Sequence, residues 1–377
     1  MDLLSKEVEA ISFLYQQSEN RKLAVSFSGG KDSLVVLDLC TRVGIEKVVF
    51  SDTTIEFKEN LNFIKTVEKV YGIKIDVVSS NNDFFDVVDR VGFPSRRLRW
   101  CCDVFKFGPL AKYAIDKNLD GYVTGLRRAE AKTRADYFDV DNNQMVPISQ
   151  INPILNWEED DVWEYINEHN LPINPLYEYF DRIGCWCCPF QSMTEWDTLE
   201  KYFPELMEKL EAKLDQFADQ IGIKDKEQFI KEKKWTGWAT AQSKSPAGTR
   251  KLCDSGEKNT IDLGFFGNSE KEVKKISKLL PILTDDYFTI GKSLRITVDK
   301  NKKQRVNTLI EKCMNCVGCG ACTALCPLGA LYVENGLITV DENLCTKCEK
   351  CLSTKVLRGA CIVRNYAPNR KTITSYH

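Results

Sequence analysis

Histidine is nearly missing from this chain: 377 residues carry two, His169 and His377. That excludes catalytic arrangements built on several imidazoles and leaves too few nitrogen ligands for a His-rich zinc site. A charge imbalance is missing as well. Fifty-two Lys and Arg stand against 54 Asp and Glu, a net charge of −2, so no overall field draws the chain to nucleic acid or to an anionic membrane. No stretch approaches the ~20 apolar residues of a membrane span. The opening "MDLLSKEVEAISFLYQQSEN" sets acids early and has no apolar run of the signal-peptide kind. A soluble cytoplasmic protein with no membrane partner is the expectation.

Cysteine is what the chain has in excess, 16 in all. In a cytosolic protein, Cys at C-x2-C spacing more often binds metal than forms disulfides. The length gives a prior of two or three domains, and 43% hydrophobic residues suffice for ordinary buried cores. Local basic clusters, "SRRLR" (95–99) and "GLRRAEAKTR" (125–134), offer sites for a small anion.

Residues 1–19 have the pattern of an amphipathic helix. Strand signals at 22–27, 47–52, 73–80 and 121–125 then alternate with helix periodicity at 33–44, 58–72 and 105–118, and "EEDDVWEYINEHN" (158–170) adds a helix that opens with acids. Such alternation predicts an α/β fold, a doubly wound parallel sheet covered by helices on both faces. It is assigned to residues 20–193. Residues 194–257 read as a helical extension followed by a Gly/Ser/Pro-rich linker, 258–310 as a small α/β connector, 311–365 as a Cys-rich domain and 366–377 as a tail.

Between the first strand and its helix lies "SGGKDS". Glycines let backbone N–H groups approach a ligand, and the following helix presents its positive end, so the turn is an anion site suited to phosphate. Lys31 adds a point charge, and Ser28 and Ser33 add hydroxyls. The string does not fit G-x4-G-K-[ST], which excludes the ordinary Walker loop.

"SFSGGKDSLVVL" (26–37) resembles the pyrophosphate-binding loop of the adenine-nucleotide alpha-hydrolase (PP-loop) superfamily, whose members bind adenine nucleotides at the carboxyl edge of a five-stranded sheet. "FSDTTIEF" (50–57) is similar to the segment near the adenosine. "TGLRRAEAKTRA" (124–135) is similar to the arginine-bearing segment that grips the anionic end of the nucleotide. "INPILNWEEDDVWEYINEHNLPINPLY" (151–177) resembles the signature of the phosphoadenylylsulfate and adenylylsulfate reductases. The resemblance implies nucleotide contacts from Ser26, Ser28, Gly29, Gly30, Lys31, Asp32, Ser33, Asp52, Gly125, Arg127, Arg128 and Arg134. Guanidinium forks at 127, 128 and 134 suit an oxyanion. For Asp52 a plain capping role stands beside ribose or metal contact.

The cysteines form two systems. "RWCC" and "RIGCWCC" supply Cys101, Cys102, Cys185 and Cys188, resembling the Cys-Cys…Cys-x2-Cys set that binds a [4Fe–4S] cluster in bacterial-type adenylylsulfate reductases. Cys187 is extra and an alternative to Cys188; Lys106 resembles a family lysine that balances cluster charge. Zinc or buried inert thiols are the bland readings. The second system, "CVGCGACTALCP", is the bacterial ferredoxin run C-x2-C-x2-C-x3-C-P, and C-x2-C-x2-C-x9-C follows from Cys345. This predicts a small α+β dicluster domain, with one cluster on Cys316, Cys319, Cys322 and Cys361 and the other on Cys345, Cys348, Cys351 and Cys326. The nine-residue gap before Cys361 departs from the pattern. Cys313 and Cys40 are assigned to packing.

Three [4Fe–4S] clusters beside a nucleotide site imply reduction of a sulfonucleotide to sulfite, with electrons from an external donor passing through the fused domain. The resembled reductases attack sulfur with a cysteine in a Glu-Cys-Gly-Leu-His tail; that motif is absent, and Cys253, beside Arg250 and Lys251 whose charges favour its thiolate, stands in as the candidate nucleophile. Catalytic roles are then assigned to Cys253, Lys31, Arg127 and Arg128. The lysine-bearing loop also keeps open an ATP-dependent sulfur transferase, with Mg²⁺ and a nucleic-acid or small-molecule acceptor. A non-catalytic nucleotide-binding iron–sulfur carrier is the third reading. Homodimerisation is compatible with all three.

Overall fold

Leu23–Phe27 is apolar on both faces, as a central strand in a parallel sheet must be, and four of its five residues are buried. The computed structural model describes residues 2–80, 82–96, 99–131, 134–142, 146, 148–238, 248–255, 258–265, 269–290, 293–314, 316, 322–323, 326, 328–335, 337–352 and 373–375. The chain divides into two units, Met1–Ser79 with Pro109–Glu208, and Ser80–Gly108 with Lys209–His377.

The first unit runs α1 (Leu3–Ser18), β1 (Leu23–Phe27), α2 (Lys31–Arg42), β2 (Val48–Asp52), α3 (Lys58–Tyr71) and β3 (Ile75–Ser79). The intervening α4 (Phe84–Val91) and α5 (Trp100–Cys102) belong to the second unit. The chain then continues through α6 (Gly108–Asp116), β4 (Gly121–Val123), β5 (Val140–Asn142), β6 (Ser149–Ile151), α7 (Glu159–Glu168) and α8 (Met193–Tyr202). The sheet order is β3-β2-β1-β4-β6-β5. Five strands are parallel and β5 is antiparallel to β6, so the expected five-stranded parallel sheet carries one further edge strand. From β1 the chain winds outward to β3, then returns to place β4 on the other side of β1. Strand order reverses between β1 and β4, where sheets of this type open a crevice at their carboxyl edge.

Two devices fix the helices around that edge. The acids that open α7 form a capping box between Glu158 and Asp161. Below the sheet, Arg42 donates to Glu7 Oε1 at 2.6 Å, His169 lies 3.1 Å from Glu7 Oε2, and Tyr165 donates to Asp38 Oδ2 at 2.7 Å, tying α1 and α7 to α2. His169 is thereby spent on architecture. Cys40 is fully buried in the apolar core with Leu37 and Val67, and burial pushes its thiol far up, as expected of a packing residue.

In the second unit α5 runs directly into a π-helical turn, Asp103–Phe107. Phe84, Phe93, Trp100 and Phe105 pack as an aromatic cluster, with Phe217 of α9 (Pro204–Ile221) and Trp235 against Phe93. After α10 (Lys226–Lys231) comes a five-stranded sheet of order β13-β7-β8-β10-β9, built from β7 (Gly248–Ser255), β8 (Lys258–Phe265), β9 (Tyr287–Ile290), β10 (Ser293–Asp299) and β13 (Ile373–Ser375). Helices α11 (Ser269–Ser277) and α12 (Lys303–Met314) and the hairpin β11 (Leu331–Glu334)–β12 (Leu337–Val340) complete it.

The stretch assigned to a linker therefore holds a strand. β7 pairs along its whole length with β8, from Gly248↔Phe265 to Ser255↔Lys258, and this ladder satisfies a backbone that Gly/Ser composition alone leaves undecided. Among the described residues no helix is long and apolar enough to cross a membrane.

Candidate functional site

The turn after β1 is held in shape before any ligand arrives. Gly29 has φ +81° and its Cα faces Asn60 so closely that a Cβ there would lie 2.0 Å from Asn60 Oδ1. Asn174 Nδ2 donates to Gly29 O at 3.0 Å and to Asn60 Oδ1 at 2.9 Å. Ser33 Oγ donates to Gly30 O at 2.8 Å, accepts from Ser28 N–H at 3.2 Å and lies 3.1 Å from Ser28 Oγ. At the switch point, a Cβ on Gly125 would come within 2.9 Å of the backbone of Asp32 and Ser33, so only glycine lets the end of β4 close on the start of α2. The first N–H groups of α2 have no acceptor within the helix. That of Lys31 is taken by Tyr177 Oη at 2.7 Å, and those of Asp32 and Ser33, with the glycine N–H groups before them, are what the cradle offers an anion.

The charges are arranged differently from the sequence expectation. Lys31 is 7% exposed at its side chain, 3.2 Å from Glu159 Oε1 on α7, with its ammonium 5.9 Å from the ring centre of Trp163 and 5.5 Å from that of Tyr177. Arg127 is buried and donates to Asp32 Oδ1 at 2.5 Å. Arg128 is bound to Asn156 and, at 2.5 Å, to Tyr137 O. Arg134 pairs with Glu130. All three arginines assigned to the oxyanion clamp are thus engaged by protein acceptors, because each follows β4 into loops rich in carbonyls and carboxylates. Asp52, the last residue of β2, accepts from Thr54 N–H at 2.8 Å in an Asx turn and caps no helix, the N-cap of α3 being Phe57.

Arg182 was passed over in the sequence. It lies exposed beside Arg134, whose acidity is raised first by burial and then by Arg182. Two adjacent guanidiniums repel, and an oxyanion between them removes the repulsion. Its signal was its place three residues before Cys185, where attention falls on sulfur. Asn60, Asn174 and Tyr177 were also missed, since nothing in a lone Asn or Tyr marks it as a brace for a loop far away in sequence.

Cys185 and Cys188 are half-buried in one turn, Cys188 N–H donating to Cys185 O at 3.2 Å, while Cys187 between them is 1% exposed. Thr53 Oγ1 lies 3.4 Å from Cys185 Sγ and donates to Glu56 Oε1 at 2.6 Å; Asn60 Nδ2 donates to Glu56 Oε2 at 3.0 Å. A chain of polar contacts therefore runs from the glycine turn to this thiol. In the second unit, Cys102 is pulled down to about 5 by a hydrogen bond from Cys101, burial opposing, with Arg99 and Lys106 adding their charge. Arg99 Nη2 is 3.5 Å from Cys102 Sγ. A thiolate so stabilised suits a metal centre, and the π-helical turn beside it is a distortion common at functional sites.

The ferredoxin-type cysteines also lie in the second unit. Cys326, Cys345, Cys348 and Cys351 line one pocket with Leu331 and Val340, the same four assigned to one cluster from spacing. Four thiols around an apolar pocket are the donor chemistry of an iron–sulfur site. Of the other set, Cys316 is half-buried and Cys322 buried, whereas Cys319 and Cys361 lie outside the described residues. Cys313 is 3% exposed in the apolar core, as a packing residue. Cys253 sits in β7 opposite Thr260. Among the described residues no three Cys, His, Asp or Glu side chains are drawn to metal-binding distance of one another.

A glycine-rich anion cradle at the switch point of a parallel sheet defines a nucleotide-binding α/β protein. Residues 22–191 match the phosphoadenosine phosphosulfate reductase domain, and the chain belongs to that family. It is 39% identical over 239 residues to an uncharacterised protein of Methanocaldococcus jannaschii, covering 61% of this chain and 49% of that one. It is 30% identical over 197 residues to the adenosine 5′-phosphosulfate reductase of Allochromatium vinosum, 49% of this chain and 75% of that one. With adenosine 5′-phosphosulfate reductase 2 of Bacillus subtilis it shares 29% over 196 residues, 51% and 82% respectively. The chain spans about half the length of its Methanocaldococcus relatives. A solved phosphoadenylyl-sulfate reductase from Candida auris is 19% identical with a TM-score of 0.41, over 47% of this chain and 88% of that one.

Proposed function

We propose that this protein reduces an adenosine sulfonucleotide, releasing sulfite and the nucleoside phosphate. The reaction takes two electrons and one proton: the S–O bond to the nucleotide breaks, sulfur goes from +6 to +4, and the proton is accounted for on the phosphate oxygen. The observation that carries this reading is the preformed cradle at the β1/β4 switch point in a chain of this family. Backbone N–H groups of Gly29, Gly30, Asp32 and Ser33 hold the phosphate, and Arg134 with Arg182 receives the sulfate. The buried Arg127–Asp32 pair fixes the start of α2 rather than touching substrate, so its role is positioning.

Electrons are proposed to arrive through iron held by thiolates, on Cys101, Cys102, Cys185 and Cys188, and on the two ferredoxin-type sets, Cys316, Cys319, Cys322 and Cys361, and Cys326, Cys345, Cys348 and Cys351. Bound iron–sulfur clusters supply one-electron carriers. Support comes from the stabilised thiolate at Cys102 and the shared pocket of the last set. Cys253 is the proposed sulfur-attacking thiol: its thiolate displaces the nucleoside phosphate to form an S-sulfonate, and the two electrons then cleave that S–S bond, releasing sulfite and restoring the thiolate. Cys253 lies in β7, paired with Thr260 of β8, and Cys253→Ser tests the assignment through loss of sulfite release.

The lysine-bearing loop favours a second reading, cleavage of ATP to AMP and pyrophosphate with sulfur transfer to an acceptor, a nucleic acid included. Anaerobic protein given a reduced donor separates the two. Sulfite from adenylylsulfate supports the reductase; pyrophosphate from ATP without sulfite supports the transferase.

A further inference from the structure

Lys312 is a buried lysine that neither the nucleotide site nor the predicted ligand sets use. It is 1% exposed, in the last turn of α12, and its ammonium donates to the backbone carbonyl of Cys351 at 3.2 Å. Cys351 is one of the four thiols lining the pocket described above. A lysine is almost never fully buried without compensation, because desolvating its charge is costly. The pocket supplies the compensation once its thiols ionise around iron. Lys312 is anchored on the backbone of one of the four pocket cysteines, a charge of opposite sign to the thiolates.

We propose that the Lys312 ammonium, anchored on the Cys351 carbonyl, sets the reduction potential of the cluster held by Cys326, Cys345, Cys348 and Cys351. Reduction adds one negative charge to the pocket. A fixed buried cation stabilises the reduced form more than the oxidised one, so it raises the potential. A donor of a given strength then fills this site more completely. The inference rests on the ferredoxin reading of this pocket and deepens it.

The test uses the full chain, purified anaerobically, with iron and sulfide measured and potentials read by EPR-monitored titration. Lys312→Met removes the charge at similar volume; Lys312→Arg keeps it. Expected is unchanged iron in both variants, with the reduction equilibrium of one cluster weakened about tenfold in Lys312→Met, ~59 mV for a one-electron couple, and near wild type in Lys312→Arg. Unchanged potentials in an iron-replete Lys312→Met protein overturn the inference and leave the ferredoxin reading intact. If Lys312→Met fails to hold iron, retention by Lys312→Arg supports the charge, and equal failure of Lys312→Arg overturns it. Wild-type protein without iron overturns both.

Discussion

The two units reach a binding site by opposite routes. In the first, the cradle is complete without its ligand: Asn60, Asn174, Ser33 and Tyr177 hold the turn by direct hydrogen bonds, and the apolar core beneath it is independent of the site. In the second, the proposed ligands belong to the core. Cys322 and Cys351 lie within its apolar cluster, and Cys316, Cys326 and Cys345 pack against it. The first unit is therefore expected to fold to the same structure empty or filled. On the proposed iron–sulfur reading the fold of the second is linked to what its thiols hold, because metal binding by a site formed only on folding contributes directly to folding. The difference teaches where each region is fragile: one at its hydrogen-bond web, the other at its sulfur chemistry.

The sharpest way to break this comparison is to strip the metal. Chelation under reducing conditions is expected to abolish the thermal transition of the second unit, structural thiolate sites being worth on the order of 10 kcal/mol, while the first unit, whose proposed ligands are only the half-buried Cys185 and Cys188 outside the cradle, keeps its adenine-nucleotide affinity within twofold. Calorimetry with parallel binding titrations reads both, and loss of the nucleotide site together with the metal would show that the regions are not independent. Next in size is Arg127→Met. Breaking a buried ion pair costs about 3–5 kcal/mol, so denaturant unfolding of the first unit shifts by that amount and nucleotide binding weakens with it. Arg127→Lys recovers only part, since an ammonium lacks the fork that meets Asp32 and Trp157.

Gly29→Ala follows, at about 1–3 kcal/mol for a non-glycine residue at positive φ with no room for its Cβ. Nucleotide affinity is expected to fall at least ~10-fold, with the metal content of the second unit unchanged. The smallest effect is in pH. Burial alone would raise the Glu7 carboxyl, but hydrogen bonds from Arg42 and His169 outweigh it and hold the group below its ordinary 4.5. The folded state thus favours the ionised form; that contribution is complete above about pH 4.5 and is lost as pH falls through the depressed value. Glu7→Gln is expected to lower stability near neutrality by about 1 kcal/mol and to flatten the acid limb of the melting curve. An acid limb identical to wild type would remove the α1–α2–α7 web from the account.

Much of the first unit was legible because its information is local. The run from Leu23 to Cys40 states strand, glycine turn and helix in contiguous residues, and the boundaries fall where that pattern changes. β5 and β6 were not, since three residues each, mostly part-exposed, carry no readable alternation. Clustering in sequence placed Arg127, Arg128 and Arg134 beside β4, but their protein partners Asp32, Asn156 and Glu130 are chosen by the fold. Cys326, Cys345, Cys348 and Cys351, grouped by their spacing, line one pocket, though among the described residues no three of them are drawn to metal-binding distance. The strand at Gly248–Ser255 was hidden by composition, its partner β8 being what makes it a strand.

The central claim meets its most direct test in one anaerobic single-turnover experiment. Iron-replete, pre-reduced protein is mixed with adenylylsulfate, and sulfite and cluster oxidation are followed together. The account predicts one sulfite for every two electrons lost from the protein. Cluster spectra that stay reduced while no sulfite forms, with pyrophosphate appearing when ATP is supplied instead, would contradict it.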